Sequence, residues 1–309
     1  MRILFTADLH IKLNVAKIPN QWQINRFAML GEHLLDIISK ERIDLIVFGG
    51  DIFDKKPSIE EIDLFLDKIL NRIRIPVILY DGNHEATKKG QTFLPCLASM
   101  AGLNVQIIDS IYHGELFDII PYTNLKTFDP EQTCKSDILF THVRGSIPPH
   151  VSPEIDLDKL NCWKTVFAGD LHAHSNSQRN IVYPGSPVST SFHRNKITTG
   201  VVVIDMLENN WKWVELHIPQ LLRLKVSSEE EMVPQSFDHV IYELEGTVDT
   251  LSKVKNTELL DKKLVVKNTK STLDISDSNI VDTAVIYWYE VLGLDKPVIE
   301  SLASELTES

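Results

Sequence analysis

Six short segments rich in Asp, His and Asn each close a stretch with strand character, and this placement constrains the fold more than any other feature. They are Asp8-Leu9-His10, Gly49-Gly50-Asp51-Ile52-Phe53-Asp54, Gly82-Asn83-His84-Glu85, Thr141-His142, Gly169-Asp170-Leu171-His172-Ala173-His174 and Tyr183-Pro184-Gly185-Ser186-Pro187. Strand-like runs at Arg2–Ala7, Ile43–Phe48 and Ile75–Tyr80 lead into the first three. Helical patterns lie between them. Asn20 with Gln23 has the form of a capping box, and Ile24, Phe27, Leu30, Leu34 and Ile38 follow at helical spacing. Ser58 with Glu61 is a second box, followed by Ile62, Phe65, Ile69 and Ile73. This β-α-β-α-β order predicts an α/β layered sheet. In such sheets ligand sites gather beyond the carboxyl ends of the strands, so all six segments can converge on one place.

Further strands are expected at Asp137–Thr141, Lys164–Ala168, Asn180–Tyr183, Gly200–Asp205 and Trp211–His217. The pattern changes near Pro219. Asp238–Glu245 and Lys262–Lys267 read as strands around a short helix near Thr247–Val254, a small β-α-β unit. Ile280, Ala284, Tyr287 and Val291 then form a helical stripe, and Pro297 starts a last helix. Two domains are expected, residues 1–218 and 219–309.

The donor set of the six segments is carboxylate, imidazole and amide, which suits hard or borderline divalent ions. The three cysteines, Cys96, Cys134 and Cys162, are scattered and odd in number, so reduced thiols are expected and a structural zinc site is not. Taken singly, a D-x-H or a GGD turn is more often a turn cap than a ligand. Seven candidate ligands in fixed order are too many for one ion and suit two that share a carboxylate.

The order D-x-H, G-D-x-x-D, G-N-H-E, H, G-x-x-H resembles the calcineurin-like metallophosphoesterase superfamily. The GGDIFD and YPGSP segments and the small β-α-β unit resemble the SbcD-type DNA double-strand-break nucleases, and the short chain resembles their bacteriophage recombination-endonuclease members. The motifs span residues 1 to about 195; the likeness of the last third is architectural. The resemblance implies a layered α/β/β/α metallophosphoesterase core with a small C-terminal β-α-β capping domain. It implies one metal held by Asp8, His10, Asp51 and His172, and a second by Asp51, Asn83, His142 and Asp170. The two divalent cations would be Mn²⁺ or Mg²⁺. His84 would donate a proton to the leaving oxygen or position the scissile phosphate, and Asp54 would orient its ring and raise its pKa. The implied partners are DNA, an SbcC-like ATPase subunit and a second copy of the chain. The Ile62–Ile73 and Thr92–Ala101 segments could form a homodimer contact or belong to the internal core, and residues 276–309 could bind the ATPase or pack against the rest of the chain.

The chain departs from the family at one ligand. The family reads G-H-x-H where this chain has Gly169-Asp170-Leu171-His172. An Asp can still ligate, and a third carboxylate favours hard ions. A one-register shift would instead make His172 and His174 the ligand pair.

The net charge of -12 argues against a broad basic DNA surface. The charge is uneven, with 22 Lys+Arg against 26 Asp+Glu over residues 1–218 and 9 against 17 beyond. Two divalent cations would offset the excess of the first region. Lys12, Lys55, Lys56, Lys88, Lys89, Arg144, Arg194 and Lys196 flank the motifs, and of these Lys12, Lys55, Lys88, Arg144 and Arg194 are candidate phosphate contacts. Trp22 and Trp163 could stack on bases, though core packing is the simpler reading. No apolar run reaches the ~18–20 residues of a membrane span. Asp8 and His10 interrupt any signal-peptide core, so a cytoplasmic location is expected, that of the host if the chain is phage-encoded.

The expected function is a two-metal DNA nuclease, with exonuclease and endonuclease activity in break processing and recombination. A phosphomonoesterase or small-molecule phosphodiesterase is the alternative enzyme. However, Lys55-Lys56-Pro57 follows Asp54 where protein phosphatases carry Asp-Arg-Gly. A scaffold subunit with impaired catalysis is the non-enzyme alternative, prompted by Asp170 alone.

Overall fold

The computed structural model describes residues 1–87, 92–98, 100, 102–265, 284–285, 287–291 and 294–307. Two sheets form its centre. The first contains β1 (Arg2–Thr6), β2 (Leu45–Gly49), β3 (Val77–Tyr80) and β4 (Val105–Ile108), all parallel. β10 (Thr199–Asp205) runs antiparallel beside β1, and β11 (Asn210–Leu216) completes that edge. The second sheet holds β6 (Asp118–Ile120), β7 (Ile138–His142), β8 (Thr165–Gly169) and β9 (Ile181–Val182), parallel to one another. β5 (Tyr112–His113) is its antiparallel edge.

Alternation along the strands decides what each face meets. Ile3, Phe5, Val47 and Tyr80 point from the first sheet to Ile119, Phe140 and Phe167 of the second, making the layer between the sheets. Leu4, Ile46, Phe48 and Leu79 point the other way, onto Phe27, Leu30, Leu34 and Phe65 of the covering helices. Strands buried on both faces read as near-continuous apolar runs, which is why they were visible in the sequence.

The covering helices are α1 (Asn20–Glu41) and α2 (Ile59–Lys68). The expected capping box at Asn20 does not form. Pro19 is the cap residue, and Asn20 instead exchanges hydrogen bonds with Asn14. The Asn14 backbone N–H donates to Asn20 Oδ1 at 2.7 Å, and Asn20 Nδ2 donates to Asn14 Oδ1 at 2.6 Å. A loop partner thus outcompetes the helix terminus for that side chain. The Ser58–Glu61 box does form. Glu61 Oε1 also accepts from the Leu13 backbone N–H at 2.7 Å, pinning α2 to the loop after β1. α1 and α2 approach closely at Gly31, where a Cβ would lie 2.1 Å from the Lys68 carbonyl oxygen. Phe65, Ile69 and Ile73 are buried in this core, so the face expected to meet a second copy is already spent internally.

Among the described residues no long helix covers the outer face of the second sheet. α3 (Pro130–Thr133) and a 3₁₀ turn at Leu157–Leu160 lie on that side, and Leu139, Val166 and Ile181 share a core cluster with Leu157, Leu160 and Trp163. Trp163 is therefore core. Its indole N–H donates to Asp118 at 2.8 Å.

A separate three-stranded parallel sheet contains β12 (Leu221–Val226), β13 (His239–Gly246) and β14 (Leu260–Val265). α4 (Val248–Lys253) connects the last two. Trp22 also has a structural contact, its N–H donating to the Phe237 carbonyl at 3.3 Å. Much of the expected Ile280–Val291 stripe lies outside the described residues. Tyr287–Val291 is a π-helical turn, and α5 (Lys296–Thr307) follows. Among the described residues no helix is long and apolar enough to cross a membrane. Among the described residues no disulfide is formed.

Candidate metal centre

The loops leaving β1, β2, β3, β7 and β8 meet at one end of the two-sheet core. Their backbones are held in uncommon conformations. Asp8, His10, Asp51 and Asp170 have φ of 57°, 45°, 50° and 102°, a left-handed region that non-glycine residues rarely enter. Such strain persists only where the surroundings over-determine it. The neighbours supply that constraint. The Asp8 and His10 backbone N–H groups donate to the carbonyls of Gly50 and Asp51, and the Asp170 N–H donates to Asp8 Oδ1 at 3.0 Å. Gly50 has φ 86°, and a Cβ there would fall 2.5 Å from the Gly82 nitrogen and 2.8 Å from His142 Nδ1. Only glycine fits between these loops.

Three groups of side chains able to hold a metal ion share this end. The donor atoms of Asp8, His10 and His172 lie within 4.8 Å of one another, and so do those of Asp8, Asp51 and His142. Asp51 also groups with His10 and His84. Asp51 Oδ2 stands 3.6 Å from His10 Nε2 and 3.5 Å from His142 Nε2, a central position suited to a shared carboxylate. His10 Nε2 and His172 Nε2 face each other at 3.0 Å. Asn83 Oδ1 is 2.9 Å from His142 Nε2.

The electrostatics demand positive charge. Burial pushes the Asp8 carboxyl well above the ordinary carboxylate range, and the neighbouring Asp51 and Asp170 add to this. Burial alone would lower the His142 pKa, but Asp51, Asp8 and Asp170 outweigh it and raise the pKa to about 9. His142 Nδ1 lies 2.9 Å from the Gly49 carbonyl and its Nε2 2.9 Å from the Asn83 side-chain amide. Burial, with the nearby His10, lowers His172 to about 4, leaving a neutral imidazole of the kind that ligates metals. His10 Nδ1 is buried without a hydrogen bond. Buried carboxylates and imidazoles converging without enough protons or cations among themselves fit hard or borderline divalent ions.

His84 lies at the open side, about a third exposed, with Nε2 3.9 Å from Asp51 Oδ2. Its backbone N–H donates to Asp51 Oδ1. Asp54 does touch His84, but not as expected. The Asp54 backbone carbonyl receives His84 Nδ1 at 2.5 Å, while its carboxylate turns to Lys12 Nζ at 3.0 Å and His10 Nδ1 at 3.5 Å. The carboxylate is drawn away because a lysine and a second imidazole lie on its other side.

Asp170 borders the cluster without joining a ligand group. Its Oδ1 is 4.0 Å from His142 Nε2, and Arg144 grips both oxygens at 3.1 Å. His174 is not gathered with the ligands. Its ring stacks on Trp213 with centroids 5.2 Å apart, and Nδ1 donates to the Tyr183 carbonyl. Of the other candidate cations, Lys55 is exposed and Arg194 pairs with Glu243 of the small sheet at 2.8 Å. Lys196 likewise pairs with Asp238. Lys88 lies outside the described residues.

One residue quoted in a motif had been given no role. Glu85 is fully buried, and its Oε2 accepts from the Asp51 and Gly82 backbone N–H groups at 2.8 and 2.9 Å. Its Oε1 accepts from Phe53 N–H at 3.0 Å. Burial, with repulsion from Asp51, raises its pKa to about 7. It stitches the β2 and β3 loops together. An acid directly after His84 at the end of an apolar strand was the available signal.

The calcineurin-like phosphoesterase model matches residues 1–196. The chain is 42% identical to the "Probable exonuclease subunit 1" of Escherichia phage T5 over 318 residues, covering 98% of this chain and 96% of that one. It is 25% identical over 296 residues to the "Putative phosphoesterase 078R" of Invertebrate iridescent virus 3, covering 85% and 81%. Among solved structures, that of an archaeal phosphodiesterase aligns with TM-score 0.40 and 13% identity, covering 70% of this chain and all of that one. With residues 1–196 of its 309 matched by that model, the chain belongs to the calcineurin-like phosphoesterase family.

Proposed function

We propose that the chain is the nuclease subunit of a DNA-processing complex, hydrolysing DNA phosphodiesters with two divalent cations. The observation that carries this reading is the near full-length identity to a phage protein named as an exonuclease subunit. The gathering of Asp8, His10, Asp51, His142 and His172 supports it. Asp8, His10, Asp51 and His172 would hold one cation. Asp51, Asn83 and His142, with Asp170, would hold the other, and Mn²⁺ or Mg²⁺ suits the oxygen-rich set. When bound, the pair supplies charge to the phosphate oxygens and acidifies a water molecule.

The chain's own groups do the rest. Asp51, central among the donor groups, would be shared by both ions. The carbonyl of Asp54 fixes the His84 ring through Nδ1, so Nε2 faces the cluster and can deliver a proton to the leaving oxygen. Lys12 and Lys55 would meet DNA phosphates at the rim. Residues 219–309 would cap the nuclease domain. The word "subunit" in the relative's name supports a partner, for which an SbcC-like ATPase is our reading. Any second copy would have to dock elsewhere than the buried face of α2.

The test compares substrates. The full chain with Mn²⁺ should cleave linear duplex DNA and turn over a chromogenic phosphomonoester poorly. Fast monoester turnover with no DNA cleavage would overturn the nuclease reading.

A further inference from the structure

The family pattern that the sequence resembles has a histidine where this chain has Asp170, and the structure shows what surrounds the aspartate. Arg144 Nε and Nη2 grip Asp170 Oδ2 and Oδ1, both at 3.1 Å, in a two-point fork. The Asp170 side chain is 6% exposed and the Arg144 side chain 42%, so the fork closes over the cluster from the solvent side. The carboxylate is therefore already ion-paired beside His142.

A second acid stands behind the arginine. Glu154 Oε1 accepts the Arg144 backbone N–H at 3.2 Å, while its Oε2 is buried and has no hydrogen-bond donor. The Glu154 and Asp170 carboxylates both act electrostatically on the Arg144 guanidinium. A buried carboxylate oxygen without a donor is unfavourable, and a guanidinium is the group suited to it.

We infer that Arg144 competes with the second divalent cation for Asp170, and that Glu154 receives the guanidinium when Asp170 turns to the cation. The inference rests on the two-cation reading above. Arg144 is then a positioning residue that makes the second site weaker than the first. A histidine at position 170 would need no such partner, because a neutral imidazole offers nothing for a guanidinium to fork.

The experiment is calorimetric titration of the metal-stripped full chain with Mn²⁺. The wild type should show a tight and a weak site. Arg144→Met should tighten the weak site by about tenfold or more, because a nearby positive charge is removed. Glu154→Gln should weaken it several-fold, because the released guanidinium loses its acceptor, and Asp170→Asn should remove it while leaving the tight site. Should Arg144→Met fail to fold, Arg144→Lys keeps the charge without the fork and should tighten the weak site by a smaller factor.

A weak site unchanged or weakened in the arginine variants overturns the inference. One ion in the wild type but two in Arg144→Met would support it strongly. One ion in every variant would overturn the two-cation reading together with it, whereas two sites indifferent to Arg144 would overturn the exchange alone.

Discussion

The backbone N–H of His84 donates to Asp51 Oδ1 at 2.9 Å. The residue proposed to move a proton is thereby tied to the carboxylate proposed to be shared by the cations. His84 does not depend on the cations for its position, since its ring is fixed by the Asp54 carbonyl. Replacing His84 with Ala should therefore lower DNA cleavage by about 10²–10⁴-fold, the range for loss of a general acid. Mn²⁺ stoichiometry should stay unchanged. A variant that loses a bound ion would identify His84 as a ligand instead.

Glu85 should matter as much for shape as for charge. Glu85→Ala strands three buried N–H donors, each at about 1–3 kcal/mol. Glu85→Gln keeps the shape but turns an amide N–H₂ toward at least one of those donors, a loss of about 1–3 kcal/mol. Urea unfolding measures both. Mn²⁺ affinity should fall in parallel, because Asp51 is one of the residues held. Unchanged stability with Glu85→Ala would contradict this role.

The strand-to-site logic was legible because the buried strands are apolar runs and each ends in a polar turn. The six segments could be picked out on that basis; the family resemblance chose Asp8, His10, Asp51, His142 and His172 within them, and the structure brings these together. Other features were not legible. Asn20 has cap chemistry, but its partner Asn14 is set by the loop path. The pairing of the Asp54 carboxylate with His84 came from the family resemblance, which does not say that Lys12 and His10 would claim it. Two of the flanking cations, Arg194 and Lys196, face acids on the small sheet, a pairing between segments about 40–50 residues apart. β12 was missed, and it is the strand by which the small sheet begins.

Asp118 is a structural acid far from the chemistry. Burial opposes its ionisation, but hydrogen bonds from His113, Trp163, Lys135 and Ser136 outweigh this and hold its pKa below the usual carboxylate value. A depressed folded-state pKa contributes stability above the unfolded value of about 3.9, lost as pH falls through the folded value. Asp118→Asn should be less stable at neutral pH by about 1.5–3 kcal/mol, the scale of a hydrogen bond to a charged group. The gap to wild type should shrink as pH falls from about 5 toward 3. Denaturant titrations across that range measure it, and a constant gap would refute the assignment.

Gly31→Ala inverts an ordinary rule. In an exposed helix interior the change stabilises by about 1 kcal/mol. Here the new methyl would lie 2.1 Å from the Lys68 carbonyl oxygen, so α1 and α2 must separate. A net loss of about 1–3 kcal/mol is expected in thermal or urea unfolding, the scale of core overpacking. A stabilised variant would show that the helices separate freely.

The most direct test follows Mn²⁺ binding and DNA cleavage together in the metal-stripped chain and in Asp51→Asn. The wild type should be inactive without metal. Its cleavage of linear duplex DNA should rise as the second Mn²⁺ per chain is taken up, and Asp51→Asn should lose both the paired binding and the cleavage. DNA cleavage without metal, or full cleavage by Asp51→Asn, would contradict a bridged two-cation nuclease centre.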